Sequence, residues 1–140
     1  KGCQLLMSIP GVGCLTALVV RAEIGDINRF SSPEQLISYC GLAPSVKQSA
    51  DSIYYGKLSR FCNKFLKYVL ILRAQNVGRC GIENPFSQTY WRILIKGKNH
   101  AKIAVARQLV RVIFSMLKNK TCWDASKIID RRGSPTAAAA

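Results

Sequence analysis

From residue 100 to 117, apolar side chains fall at Ile103, Ala106, Leu109, Val110, Ile113 and Leu117, with Lys102, Arg107, Arg111 and Lys118 between and beyond them. Steps of three and four sustained over about five turns are the period of an α-helix with one buried stripe. A helix of that length cannot cover its own stripe, so the rest of the chain must supply helices or a sheet to pack on it. Candidates precede it. Residues 63–79 carry Phe65, Leu66, Val69, Leu70, Ile71, Leu72 and Val77, apolar on most sides, as in a helix central to a core or buried in a dimer. Pro85 starts another helix running to Ile95, with Phe86, Tyr90, Trp91 and Leu94 on its stripe.

Nearer the N-terminus, residues 2–8 form a short apolar helix ended by Ile9-Pro10-Gly11-Val12-Gly13. A second helix follows over 14–24, with Leu15, Leu18, Val19 and Ala22 as its expected core face, and Gly25-Asp26 stops it. Ser31-Ser32-Pro33-Glu34 combines a hydroxyl cap, a proline in the first turn and an acid at the positive end of a third helix. That helix carries Leu36, Ile37 and Tyr39, and Gly41 closes it. From 42 to 59 the period fails: Pro44, Gly56 and several serines indicate a long loop, with a short hairpin around Ile53-Tyr54-Tyr55-Gly56. Long loops between well-patterned helices are usually functional. The expectation is an all-α, or mostly α, domain over 1–132: a helix-hairpin-helix unit, a third helix, the loop and three further helices. Residues 133–140, a Gly-Ser-Pro-Thr-Ala run, are expected to be a disordered tail or a scar of expression. The chain opens at Lys1, which suggests a piece of something longer.

The charge is large and unevenly placed. The 140 residues carry a formal net charge of +14. Between Ser52 and Trp123 there are 14 Lys and Arg residues, and Glu83 is the only acid. At 49% apolar the chain is too hydrophobic for a disordered basic tail. A folded body with this charge calls for a polyanionic partner, nucleic acid first, with a solvated basic face or an anionic membrane surface as the other readings. No apolar run reaches the roughly 20 residues needed to span a bilayer. No signal peptide precedes the first helix. A soluble, cytoplasmic protein without a membrane partner is expected.

Chemistry-bearing clusters are few. Cys3, Cys14, Cys40, Cys62, Cys80 and Cys122 stand far apart without a close ligand pair, and His100 is the only histidine, so no metal site is expected within this chain. The thiols read as reduced and mostly buried. The seven acids are scattered, and nothing resembles a carboxylate cluster for metal-assisted phosphoryl chemistry.

Two segments do suit a nucleic acid. Gly11, Val12 and Gly13, with Thr16 following, form a glycine-bearing turn at a helix start, where exposed N–H groups can hold a backbone phosphate. An ordinary helix–helix turn is the alternative. The loop then offers Ser45, Ser49, Ser52 and Ser59 beside Lys57, Arg60, Lys64 and Lys67. Such a loop either lies on phosphates or presents a nucleophilic serine, whose charged transition state the cations would stabilise.

Three ordered stretches then become informative together: Ser8-Ile-Pro-Gly-Val-Gly-Cys-Leu-Thr-Ala17; Ala22-Glu-Ile-Gly-Asp26 with Phe30-Ser-Ser-Pro-Glu-Gln-Leu36; and Tyr39-Cys-Gly-Leu-Ala-Pro-Ser45. They resemble the C-terminal domain of the insertion-sequence 110/116/902 transposases, relatives of the Piv DNA invertase. That resemblance covers roughly residues 5–117. It implies DNA transposition or site-specific recombination by a serine that attacks the DNA backbone and becomes covalently joined to it. The matching serine is Ser49, with Ser45 a competitor in the same loop. It further implies a separate RuvC-like domain with four acidic ligands for Mg²⁺, absent from this chain. DNA is the implied partner. Some members use a structured guide RNA, and the full-length protein is expected to be a homo-oligomer. Where the family reads Ser-Gly-Gly-Lys, this chain reads Ser49-Ala50-Asp51-Ser52; where it reads Lys-x-Gly-Asn, this chain has Arg60-Phe61-Cys62-Asn63. The first motif loses its glycine pair and its cation, while the second keeps its cation and Asn63 and loses its glycine. Two other readings remain: a non-catalytic DNA- or RNA-binding module, including a decayed transposase fragment, and an oligomerisation domain built on residues 61–77.

Overall fold

The computed structural model describes residues 2–49, 52–58, 62–79 and 84–124. The expected tail, 133–140, lies outside them. The chain is mostly helical: α1 Gly2–Met7, α2 Cys14–Ile24, a 3₁₀ turn Ile27–Arg29, α3 Pro33–Tyr39, α4 Lys64–Arg79, α5 Pro85–Leu94 and α6 Lys98–Asn119. Between α3 and α4 stand two strands, β1 Pro44–Ser49 and β2 Ser52–Leu58.

Helix α6 is the spine, and α1, α3, α4, α5 and the 3₁₀ turn all pack on it. The stripe foreseen for it is largely the one buried: Ala101, Val105, Ala106, Leu109, Val110, Ile113, Met116 and Leu117, with Ile103 only partly covered. Leu66, Leu70, Ala74 and Val77 of α4 face the same core, as do Phe86 and Tyr90 of α5. After α6 the chain folds back: Trp123 stacks on Phe86 with ring centroids 5.1 Å apart, and its N–H donates to Ser8 Oγ at 2.9 Å.

Local signals account for the helix ends. Ser32 caps α3 by accepting from Gln35 N at 3.3 Å, and Asn84 caps α5 by accepting from Ser87 N at 2.8 Å; each is followed by proline. Asp26 does the same for the 3₁₀ turn, accepting from Asn28 N at 3.0 Å.

Two expectations need correction. The core face of α2 is Thr16, Ala17, Val20 and Ile24; Leu15 (72% exposed) and Leu18 (51%) point outward. Helix α2 is apolar nearly all round, so its phase was undetermined by pattern, and the side with small Ala17 lets it approach its neighbours most closely. Likewise Trp91, expected on the stripe of α5, is 57% exposed.

The long loop is in fact an antiparallel β-hairpin. Its reversal lies between register partners Ser49 and Ser52, and residues 53–56, where a turn was expected, run within β2. The register shifts between Pro44 and Val46, so that Gly56 and Lys57 of β2 oppose Ser45.

Candidate nucleic-acid interface

Both roots of the hairpin are anchored in the helical layer. On the α3 side, Gly41 takes a positive φ of 70°, and its N–H donates to Ser38 O at 2.9 Å while Leu42 N donates to Ile37 O at 3.0 Å. That is a left-handed helix stop, which glycine adopts without steric cost. A Cβ at Gly41 would also overlap the Cys62 side chain. Leu42 is fully buried, and its carbonyl accepts from Arg107 Nε of α6 at 2.7 Å. Burial, then the neighbouring Arg111 charge, lowers the Arg107 pKa from its ordinary value. Cys40 beside this stop is buried, and desolvation followed by proximity to Cys62 pushes its thiol up to about 12.

On the α4 side, Asn63 does three things. Its N–H donates to Tyr39 O at 3.4 Å, its Oδ1 accepts from Leu66 N at 3.0 Å as a helix cap, and its Nδ2 donates to Glu23 Oε2 of α2. Tyr39 Oη in turn donates to the Glu23 carbonyl at 3.2 Å, and the Arg29 guanidinium lies over the Tyr39 ring at 5.0 Å. Asn63, singled out in the sequence beside the cations, therefore has both polar ends of its side chain engaged within the protein. Its sequence signal was that of a helix cap: an asparagine just before an apolar-periodic run.

The glycine turn lies elsewhere. Gly11 has φ 83°, and a Cβ there would run into Val77 near the end of α4. Val12 is turned inward at 7% exposure and its N–H is bonded to Ile9 O at 3.1 Å; Thr16 is buried at 4%. Neither side chain is open to solvent, and the contact expected from the sequence is one of backbone N–H groups. What the turn does present is the N-terminus of α2. Gly13 is exposed with open space around it and gives no side-chain cap. By helix geometry the N–H groups of Cys14, Leu15 and Thr16 have no intrahelical acceptor.

Helix α4 separates the two features. Asn63 sits by Glu23 at the end of α2, and Val77 sits against Gly11 before its start, so α2 and α4 run antiparallel. The 14 residues from Asn63 to Val77 place the turn about 21 Å from the hairpin root at 1.5 Å per residue. The sequence candidates thus divide into Gly11, Val12, Gly13 and Thr16 at one end and Asn63, Lys64 and Lys67 at the other, with Ser49 and Lys57 on the hairpin between α3 and α4. Ser49 closes β1 beside the reversal and Lys57 lies in β2. Arg60 lies outside the described residues. Lys64 is exposed at the first turn of α4; Lys67 is partly covered, its Cδ 3.4 Å from where a Cβ on Gly41 would stand. Sequence reasoning passed over Glu23, Tyr39 and Arg107, the residues that anchor the hairpin. Their roles arise from contacts up to 65 positions apart, which no local pattern encodes.

Among the described residues no three His, Cys, Asp or Glu side chains come together, and no helix is long and apolar enough to cross a membrane.

The sequence profile described as the Transposase IS116/IS110/IS902 family matches residues 3–92. The chain is 38% identical over 124 residues to the insertion element IS110 uncharacterized 43.6 kDa protein of Streptomyces coelicolor, covering 86% of this chain and 30% of that one. It is 35% identical over 126 residues to the transposase for insertion sequence element IS1111A of Coxiella burnetii, covering 88% and 35%. It is 32% identical over 124 residues to the pilin gene-inverting protein of Moraxella bovis, covering 86% and 38%. The chain spans about a third of the length of these relatives.

Proposed function

Because this chain belongs to the IS116/IS110/IS902 transposase family, we propose that it is the DNA-holding part of a recombinase and carries its nucleophile, Ser49. The observation that carries this reading is the hairpin. Ser49 ends β1 next to the reversal of a two-stranded element whose roots are fixed by Arg107 on one side and Asn63 on the other. A serine at such a tip can be brought to a phosphodiester in the backbone of a duplex. Ser49 Oγ would attack phosphorus, its P–O bond forming as the P–O bond to one deoxyribose breaks, with the serine proton passing to solvent or to the departing oxygen. Exchange of one phosphoester for another conserves bond energy, so rejoining needs no external energy source. Lys57, Arg60 and Lys64 would stabilise the charge that builds on the phosphoryl oxygens.

The second contact is the open N-terminus of α2. Backbone N–H groups there are suited to one phosphate, reading charge and shape without sequence. With DNA charges about 3.4 Å apart along one strand, the roughly 21 Å between this turn and the hairpin root corresponds to about six nucleotides. Asn63 and Arg107 are positioning residues in this scheme. Mg²⁺ belongs to the RuvC-like domain that the resemblance implies, where it would polarise the phosphate; no step is assigned to a metal in this chain. A guide RNA and self-association of the full-length protein are part of the same proposal, as is action in the cytoplasm.

A purely binding module is the second reading, and one observation favours it. The two positions between Ser49 and Ser52 are Ala50 and Asp51, where the resemblance leads one to expect a freely turning glycine pair. The deciding experiment uses the full-length transposase with Mg²⁺ and element-end DNA, in wild type, Ser49→Ala and Ser45→Ala. A denaturant-resistant protein–DNA adduct lost only in Ser49→Ala supports the nucleophile. Loss only in Ser45→Ala moves it within the loop. DNA binding with no adduct in wild type supports the binding module.

A further inference from the structure

The outer side of α4 carries a feature that neither the core nor the hairpin uses. Phe65 and Tyr68 are 55% and 62% exposed, and residues three apart are neighbours on a helix face. Large aromatic side chains left open side by side mark a surface that something covers. Charge indicates what. Lys64 and Lys67 alternate with the two rings in the first turns of α4, and residues 52–79 contain no acid. A second copy of a +14 chain would bring the same lysines to the same face, and like charges oppose that docking. An anionic strand is complementary to it. A duplex, however, keeps its bases stacked on one another, so it offers phosphates, sugars and base edges but no free π-face. Rings interleaved with cations suit a strand whose bases are unpaired, since each base then has a free π-face and its phosphate falls beside a lysine.

We infer that Phe65 and Tyr68 form a stacking platform for unpaired bases of single-stranded DNA, with Lys64 on its backbone. The inference rests on the reading that this basic face meets DNA, and it adds the state of that DNA. The strand is opened at the hairpin end of α4, a few residues from the root of the element that bears Ser49, while the α2 turn at the far end meets backbone that can remain double-stranded.

The test is fluorescence anisotropy on this 140-residue chain with a labelled oligothymidine and a labelled duplex of equal length. Phe65→Ala and Tyr68→Ala are each expected to weaken oligothymidine binding about tenfold or more and to leave the duplex within about twofold. Tyr68→Phe, which keeps the ring, is expected to bind like wild type. Lys64→Gln is expected to weaken both ligands. Both rings are surface groups, and matched melting curves would confirm that the variants fold. If neither alanine variant loses oligothymidine while Lys64→Gln still loses duplex, the platform is overturned and the DNA-binding reading stands. If wild type binds neither ligand, both fall. Tighter binding of oligouridine with the same dependence on the rings would assign the platform to RNA and overturn the DNA assignment. A dilution-dependent mass on gel filtration that disappears in Phe65→Ala would make the face a self-interface and overturn it as well.

Discussion

Arg107 Nε donates to the carbonyl of Leu42 at 2.7 Å, so the central helix α6 holds the residue from which the hairpin departs. Leu42 is fully buried, and its carbonyl has little access to water to replace that bond. Arg107→Met keeps much of the aliphatic stem and removes the donor. Hydrogen bonds to charged groups contribute about 1.5–3 kcal/mol. Because the guanidinium is partly exposed, a loss near the lower end is expected, about 1.5 kcal/mol. Chemical denaturation measures it, and hydrogen exchange should show faster opening at residues 42–58 than elsewhere.

Gly11 and Gly13 look alike in the sequence, and the structure separates them. Gly11→Ala meets a positive φ and Val77 together. The backbone term alone costs about 1–3 kcal/mol, and the overlap adds to it. Gly13 has ordinary φ and open space, so Gly13→Ala loses only the cap preference, on the order of 0.5 kcal/mol. Melting temperatures of the two variants that fell by equal amounts would contradict this.

Asn63 serves as cap and as tie to Glu23. Asn63→Ser keeps the cap acceptor and drops the tie. Asn63→Asp keeps the acceptor but sets a carboxylate against the Glu23 carboxylate. At neutral pH the aspartate variant should therefore be the less stable of the two, by about 1 kcal/mol. Its deficit should shrink as pH falls through the carboxylate range. Urea midpoints at pH 7 and pH 4 provide the check.

The Cys40 thiol is held neutral in the fold, its pKa raised from 9.0 to about 12. Below pH 9 folded and unfolded chains carry the same proton there. Between pH 9 and about 12 the unfolded thiol ionises and the folded one does not, so the unfolded state binds fewer protons and stability falls as pH rises. Cys40→Ala should remove that part of the alkaline slope. In the native protein at pH 8, an alkylating reagent followed by mass spectrometry should label exposed Cys14 and Cys122 well before Cys40.

What the sequence disclosed depended on whether the determining contacts were local. Helix α2 was legible end to end because Gly13 and Gly25 bracket it, and α3 because Ser32 and Pro33 announce it. The phase of α2 was not, since apolar residues occupy nearly every side and only its neighbours decide between Leu15 and Thr16. A hairpin was expected in this loop, but its reversal was misplaced for a chemical reason. Two-residue reversals usually advertise themselves with glycine or Asn-Gly, and here the intervening pair is Ala50-Asp51. Of the candidate site, the lysines and glycines were visible as composition. That the turn and the hairpin stand at opposite ends of one helix was not, because it depends on Glu23 meeting Asn63 across 40 positions.

Helix α4 is therefore a ruler as well as a core element, and a ruler of this kind has coarse graduations. One inserted residue would lengthen it by only about 1.5 Å but rotate everything beyond by about 100°, turning Phe65 and Tyr68 away from the side that Val77 and Gly11 define. Seven residues, close to two full turns, would restore the bearing and add about 10.5 Å, some three nucleotides of strand. Changes in the span between the two proposed DNA contacts are thus open to such a domain in heptad steps, whereas single-residue insertions in α4 would misalign its faces.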